Sequence, residues 1–194
     1  EVLSKEISFH SKINAFCGSL INPVDGEPFS LLFYNKNVKR LKRINYQYFM
    51  GSAHVLSRGI LRKIGCYDER FGVGSKYYGS EETDMFFRLK AAGEEVLYLP
   101  NLKFYHPIPE TPDDYVYKYA YALASMLTKN CTINKASSPV YCYIVAERTV
   151  KSAIRLLQKA TLKGKYIQKD NRYHYASVLR GTFAGIRDFI KNEL

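Results

Sequence analysis

Residues 81–100 pass from a helix pattern to a strand pattern across one glycine, and this succession constrains the fold more than any other feature of the sequence. In residues 81–92 apolar side chains recur at helical spacing, and Ser80 before them is suited to cap a helix. Gly93 ends the pattern, and residues 95–100, Glu-Val-Leu-Tyr-Leu-Pro, predict a strand. A helix that leads directly into a strand is typical of α/β proteins, and we predict that class.

Further elements are predicted on both sides of this unit. Strands are indicated at residues 15–22, 46–54 and 102–106, where short apolar runs meet glycine or proline. Ser57 and Gly65 frame a short predicted helix over residues 57–64.

The segment 107–114 holds three prolines within six residues and predicts a domain boundary. Residues 1–106 before it form the predicted α/β domain. Beyond it, residues 115–194 are predicted to be helical, with helical patterns over 113–127, 140–159 and 173–190.

The chain carries 29 Lys and Arg against 18 Asp and Glu, a net charge of +11, which indicates an acidic partner. The sequence contains no zinc finger, RNP motif or uninterrupted arginine-rich tract, so we expect no nucleic acid partner. Residues 149–165 mix basic and aliphatic side chains at helical spacing. That pattern is typical of a helix on an anionic membrane surface, or of a helix packed on its own domain with a solvated basic face.

The cysteines indicate a reducing compartment. Cys17, Cys66, Cys131 and Cys142 form no Cys-x-x-Cys pair, and we interpret them as reduced thiols of a cytoplasmic protein. The alternative is a disulfide between Cys131 and Cys142. No apolar stretch approaches the roughly 20 residues of a membrane-spanning helix, and we expect no signal peptide. The start at Glu1, which is not a methionine, predicts a piece of a longer protein.

The order of motifs along residues 15–106 resembles a known family. Residues 64–71 read Ile-Gly-Cys-Tyr-Asp-Glu-Arg-Phe, residues 79–89 read Gly-Ser-Glu-Glu-Thr-Asp-Met-Phe-Phe-Arg-Leu, and a glycine, a strand and His106 follow. This series is similar to the acceptor half of the inverting GT-A-fold glycosyltransferases of family 2, which build bacterial polysaccharides. The resemblance implies a partial GT-A, Rossmann-like mixed sheet followed by a helical C-terminal region.

The same resemblance implies an activity and its partners. The expected reaction transfers a sugar from a nucleotide-sugar, in most cases a UDP-sugar, to a glycan or lipid-linked acceptor. A divalent cation, Mg²⁺ or Mn²⁺, neutralises the departing diphosphate. The expected place is the cytoplasm, in peripheral contact with the inner face of the plasma membrane.

An inverting transfer needs a carboxylate general base beside the acceptor hydroxyl. By resemblance Glu82 stands at the position of the base and Glu81 at the acid before it, and the extra methylene of Glu82 leaves open which of the two is the base. A helix N-terminus favours negative charge, so we expect the carboxylate to stay ionised. The alternative is that both acids only stabilise the start of the helix.

The resemblance and the positions beside these acids indicate further candidates for acceptor binding, namely Gly51, Ser52, Asp68, Glu69, Arg70, Tyr78 and Asp84. Asp84 has a structural alternative as a helix cap or as a partner of Arg88, and Arg70 has one as a partner of Asp68. His106 is the candidate metal ligand. His54 follows the turn at Gly51 and is interpreted as packing.

The nucleotide-binding half of the family, with its Asp-x-Asp motif, does not match any part of the sequence. We therefore expect this chain to be inactive on its own and its sheet to have an exposed edge that favours self-association into a homo-oligomer. The alternative to an enzyme is a non-catalytic binding or assembly module that keeps the fold.

Overall fold

The computed structural model describes residues 2–29, 34–107, 114–133, 138–161 and 171–194. It divides the chain into two compact units. The first unit consists of Glu1–Tyr67 and Glu81–Glu110, and the second of Asp68–Ser80 and Thr111–Leu194. The passage from the first unit to the second falls within the predicted boundary 107–114, of which residues 108–113 lie outside the described residues. The sequence gives no sign that the loop 68–80 belongs with the C-terminal helices.

The first unit contains a four-stranded mixed sheet, which confirms the predicted α/β class. Its strands are β1 (Ala15–Ile21), β2 (Lys39–Arg40), β3 (His54–Leu56) and β4 (Val96–Tyr105), in the order β2-β4-β1-β3. β1 pairs in parallel with β4 and antiparallel with β3. Every residue of β1 is buried, as its uninterrupted run of small and apolar residues requires of a strand with neighbours on both sides.

The prediction of two strands over 95–100 and 102–106 is wrong, because β4 is continuous. The pairing with β1 jumps from Gly18↔Leu99 to Ser19↔Lys103, so three residues of β4, beginning with Pro100, bulge out of the ladder. Proline has no N–H to give to a ladder, and a bulge accommodates it without ending the strand.

The prediction of a strand over 46–54 is also wrong. Arg43–Tyr48 forms a 3₁₀ helix, and the strand is only the short β3 beyond it. The side-chain carbonyl of Asn45 accepts a hydrogen bond from the Lys42 backbone N–H at 3.1 Å. Such local bonds compete with sheet pairing and close the chain into a turn.

Three helices complete the first unit: α1 (Val2–Phe9), α2 (Arg58–Ile64) and α3 (Glu81–Ala91). The predicted frame of α2 is confirmed, since the Ser57 hydroxyl accepts from the Ile60 N–H at 3.2 Å and Gly65 follows at φ 83°. The prediction that Ser80 caps α3 is wrong. Ser80 has φ 71°, outside the extended region that a capping residue uses, and its buried hydroxyl bonds to none of the described residues.

The second unit is helical, as predicted, with α4 (Tyr115–Thr132), α5 (Ser138–Thr161) and α6 (Asn171–Glu193). Glycines let α4 and α6 approach closely. A Cβ on Gly181 would lie 2.5 Å from the Tyr117 carbonyl oxygen, and one on Gly185 would lie 2.3 Å from that of Tyr121.

The part of the predicted basic helix beyond residue 161 lies outside the described residues. Across the residues that are described, no helix combines the length and the hydrophobicity needed to cross a bilayer.

Candidate active site

Glu81 and Glu82 form a carboxylate pair in the first turn of α3. The Glu81 charge acts on the ionisation of Glu82 at close range. Gly51 lies against the pair, because a Cβ on this glycine would be 3.8 Å from Glu82 Oε2. On one side, the Glu82 carboxylate therefore faces a turn that has no side chain at residue 51.

Burial, and next the charge of Glu81, raise the pKa of Glu82 from 4.5 to about 7. This contradicts the expectation that the carboxylate stays ionised. A helix N-terminus stabilises a negative charge by about 0.3–1 kcal/mol. The raised pKa corresponds to about 3 kcal/mol against the charge, so desolvation and repulsion outweigh the dipole.

A tyrosine and a histidine that the sequence analysis did not select stand beside this pair. His54 Nε2 is hydrogen-bonded to the Tyr67 hydroxyl, and His54 Nδ1 lies 2.8 Å from the Met50 carbonyl oxygen. Burial first, and then the charges of Glu82 and Glu81, raise the pKa of Tyr67. The Tyr67 phenol is thus held by the ring that the sequence analysis interpreted as packing, within electrostatic range of the two carboxylates.

Arg88 ties the chain before Tyr67 to α3. Its guanidinium donates to the carbonyls of Ile64 at 2.8 Å, Gly65 at 3.3 Å and Cys66 at 2.8 Å. It also donates from Nε to Asp84 at 2.8 Å, and Asp84 has no exposed surface. The geometry matches the structural alternative for Asp84, because a fully buried carboxylate that is paired with Arg88 has no surface to offer a ligand.

The predicted acceptor-binding residues of the next loop belong to the second unit. Arg70 binds Asp68 through two nitrogens, at 3.0 and 2.7 Å, and Glu193 through a third at 2.6 Å. Lys129 lies 2.6 Å from Asp68. Burial raises the pKa of Asp68, but hydrogen bonds from Arg70 and Lys129 outweigh it and hold this pKa well below its usual range. These side chains connect the loop to α4 and α6, while Glu69 is exposed.

Tyr78 also lies in the second unit, and it is exposed at φ 65°. Its ring meets the Tyr121 ring edge-on with centroids 5.6 Å apart, and Lys118 Nζ lies 5.4 Å from its centre. In the first unit, Gly51 and Ser52 are exposed, and Gly51 is the only predicted acceptor residue for which a contact with the Glu82 carboxylate is described.

His106 follows β4 and directs Nδ1 at the Pro107 carbonyl oxygen, 2.6 Å away. The carbonyl can only accept, so this nitrogen carries a hydrogen and Nε2 alone could bind a metal. Within the described residues, no three His, Cys, Asp or Glu side chains come together in a group that could hold an ion. A single imidazole does not fit Mg²⁺, which takes oxygen ligands.

All four cysteines are free thiols in the structure. Cys17 is buried in β1, and burial raises the pKa of its thiol.

Comparison with known proteins adds no identification. No protein-family model matches the chain, and the searches of curated proteins and of solved structures find no significant match.

Proposed function

We propose that the first unit carries the acceptor side of a glycosyltransferase site built on part of a GT-A sheet, with Glu82 as the general base. The observation that supports this most is the pKa of Glu82, raised to about 7 beside the open turn at Gly51. A general base works best when its pKa lies near the working pH. Acids that only stabilised a helix start would keep an ordinary or lowered pKa, because their charge is what stabilises the helix.

In the proposed step, Glu82 takes the hydrogen of an acceptor hydroxyl. The acceptor oxygen forms a bond to the anomeric carbon on the face opposite the leaving group, and the bond from that carbon to the phosphate oxygen breaks. The electron pair of the broken bond leaves with the nucleoside diphosphate. Glu81 is not the base in this proposal, since its part is to raise the pKa of Glu82 through its charge.

A divalent cation, if the reaction needs one, must be held mainly by residues other than those described, because His106 alone does not fit such a site. The steps above are carried by the carboxylate pair and involve no cation. The same holds for the nucleotide, for which the sequence offers no Asp-x-Asp motif.

A non-catalytic binding module is the second candidate function. Three residues predicted to bind the acceptor, Asp68, Arg70 and Asp84, instead form ion pairs with neighbouring side chains, and this favours the second candidate. If their charges serve only to hold the fold, fewer side chains are left to recognise an acceptor.

We further propose that the protein works at the inner face of a membrane with anionic lipids. Large apolar side chains stay exposed on one face of α5, namely Tyr143, Val150, Ile154 and Leu157. Lys151 and Arg155 are exposed beside them. A basic helix with an exposed apolar face suits an anionic lipid surface. Co-sedimentation with phosphatidylglycerol vesicles, but not with phosphatidylcholine vesicles, is expected, and equal sedimentation with both would contradict the proposal.

The enzymatic proposal is tested by transfer of radiolabelled sugar from UDP-sugars, with the gene product as its source cell makes it. Glu82→Gln is expected to lower the rate by about 10²–10⁴-fold. Glu27→Gln is the matched control, since Glu27 is exposed after β1 and should retain the wild-type rate. Undiminished transfer by Glu82→Gln would exclude Glu82 as the base, and binding of acceptor without any transfer would favour the second candidate.

A further inference from the structure

The hydrogen of the Tyr67 hydroxyl can be assigned to one hydrogen bond, the one to His54. The Met50 carbonyl oxygen beside His54 Nδ1 can only accept, so Nδ1 carries the ring hydrogen. Burial lowers the pKa of His54 and outweighs the bond to Met50, which keeps the ring neutral at pH 7. Nε2 of a neutral ring protonated at Nδ1 has only a lone pair, so Tyr67 must donate its hydrogen to it. The Tyr67 oxygen then has only lone pairs to offer any other group.

The same short turn contacts both the ring that holds this oxygen and the base. Met50 anchors His54, and the next residue, Gly51, lies against the Glu82 carboxylate. From the other side, Arg88 holds the three carbonyls that precede Tyr67 and pairs with α3. Tyr67 itself is 43% exposed, so a ligand can reach it.

A sugar acceptor presents several hydroxyl groups to such a site. The reacting hydroxyl gives its hydrogen to the base and cannot also donate to Tyr67. A second hydroxyl can donate to Tyr67, because that oxygen accepts and does not compete as a donor. An acceptor with a second free hydroxyl can therefore satisfy both groups at once.

We propose that Tyr67 is a substrate-positioning residue that receives a hydrogen from a second acceptor hydroxyl, and that His54 is the positioning residue that turns Tyr67 into a pure acceptor. This inference rests on the proposed function, and it adds a feature of the substrate class. The acceptor is a sugar with a second free hydroxyl, which donates to Tyr67 while the first reacts.

The test measures how a panel of methyl glycosides and their monodeoxy analogues bind to the full chain. Binding is monitored by NMR titration. Tyr67→Phe removes the accepting oxygen and is expected to weaken binding of the best glycoside about three- to ten-fold, the effect of one neutral hydrogen bond. The analogue without the second hydroxyl should bind the wild type and Tyr67→Phe equally. Tyr105→Phe, an exposed tyrosine at the end of β4, is the control and should bind as the wild type does.

His54 is tested by two variants and a signal independent of binding. His54→Gln keeps an acceptor for the Tyr67 hydroxyl and is expected to retain the wild-type Tyr67 ring resonance and affinity, whereas His54→Leu loses both. If the Leu variant fails to fold, His54→Gln decides for His54, and a changed Tyr67 resonance or affinity in that variant overturns its positioning role.

The outcomes separate the inference from the function on which it rests. Equal glycoside binding by wild type and Tyr67→Phe overturns the inference and leaves the base proposal intact. No binding of any glycoside, together with no sugar transfer by the native gene product, overturns both.

Discussion

Replacement of Glu82 by Gln tests the most unusual feature of the site without any substrate. Glutamine keeps the size of the side chain and its hydrogen-bonding oxygen but removes the ionisation. The pKa of Glu82 is 4.5 in the unfolded chain and about 7 in the folded one. The variant should therefore differ from the wild type in how its stability depends on pH.

The sign and size of the effect follow from linkage. Below pH 4.5 Glu82 is protonated in both states and contributes nothing. Between pH 4.5 and 7 the unfolded chain releases the proton and the folded chain keeps it, so the wild type loses stability until the folded pKa is passed. Above that pH the wild type has lost about 3 kcal/mol of its free energy of unfolding, and Glu82→Gln keeps this amount because it has no carboxyl to ionise. We expect the variant to be more stable than the wild type by up to about 3 kcal/mol at pH 8 and by nothing at pH 4.

The assay is native-state hydrogen exchange of the α3 amides, read by mass spectrometry, because the two units of the chain need not unfold together. Wild type and variant are compared at the same pH, so that the intrinsic exchange rates cancel. Glu27→Gln should show no difference at either pH. A Glu82→Gln difference that is the same at pH 4 and pH 8 would refute the raised pKa and, with it, the main support for a general base.

Three further changes test the fold around the site. Arg88→Met leaves the buried Asp84 carboxylate without its ion-pair partner and should lower the free energy of unfolding of the first unit by about 3–5 kcal/mol, measured in urea. Arg62→Met, on the exposed side of α2, should change this free energy by no more than about 0.5 kcal/mol. Gly18→Ala places a Cβ 1.9 Å from the Leu102 carbonyl oxygen and should cost about 1–3 kcal/mol, so an unchanged melting temperature would contradict the bulge in β4. In native protein a thiol reagent should label exposed Cys66 quickly and buried Cys17 only after unfolding, and equal rates would show that β1 is not buried.

Local sequence signals predicted the elements whose limits are set by neighbouring residues. The frame Ser57–Gly65 predicted α2, and the run 15–22 predicted β1, because a cap, a glycine or an uninterrupted apolar run acts within a few residues. The prediction failed at residues 46–54, where an apolar run that meets Gly51 fits a strand but the side chain of Asn45 closes a turn first. It failed again at Pro100, where a bulge that depends on the partner strand carries β4 past the proline.

The candidate site shows the same division. The sequence alone determined that two acids open α3, that Asp84 and Arg88 stand one turn apart and that a glycine turn comes earlier in the chain, because these follow from residue type and spacing. Only the tertiary structure decided that Gly51 lies against Glu82, that His54 orients Tyr67 and that Arg88 also holds three carbonyls from another segment. The ionisation of Glu82 was decided there too, since desolvation and a neighbouring charge depend on what the fold brings within a few ångströms and not on the order of residues.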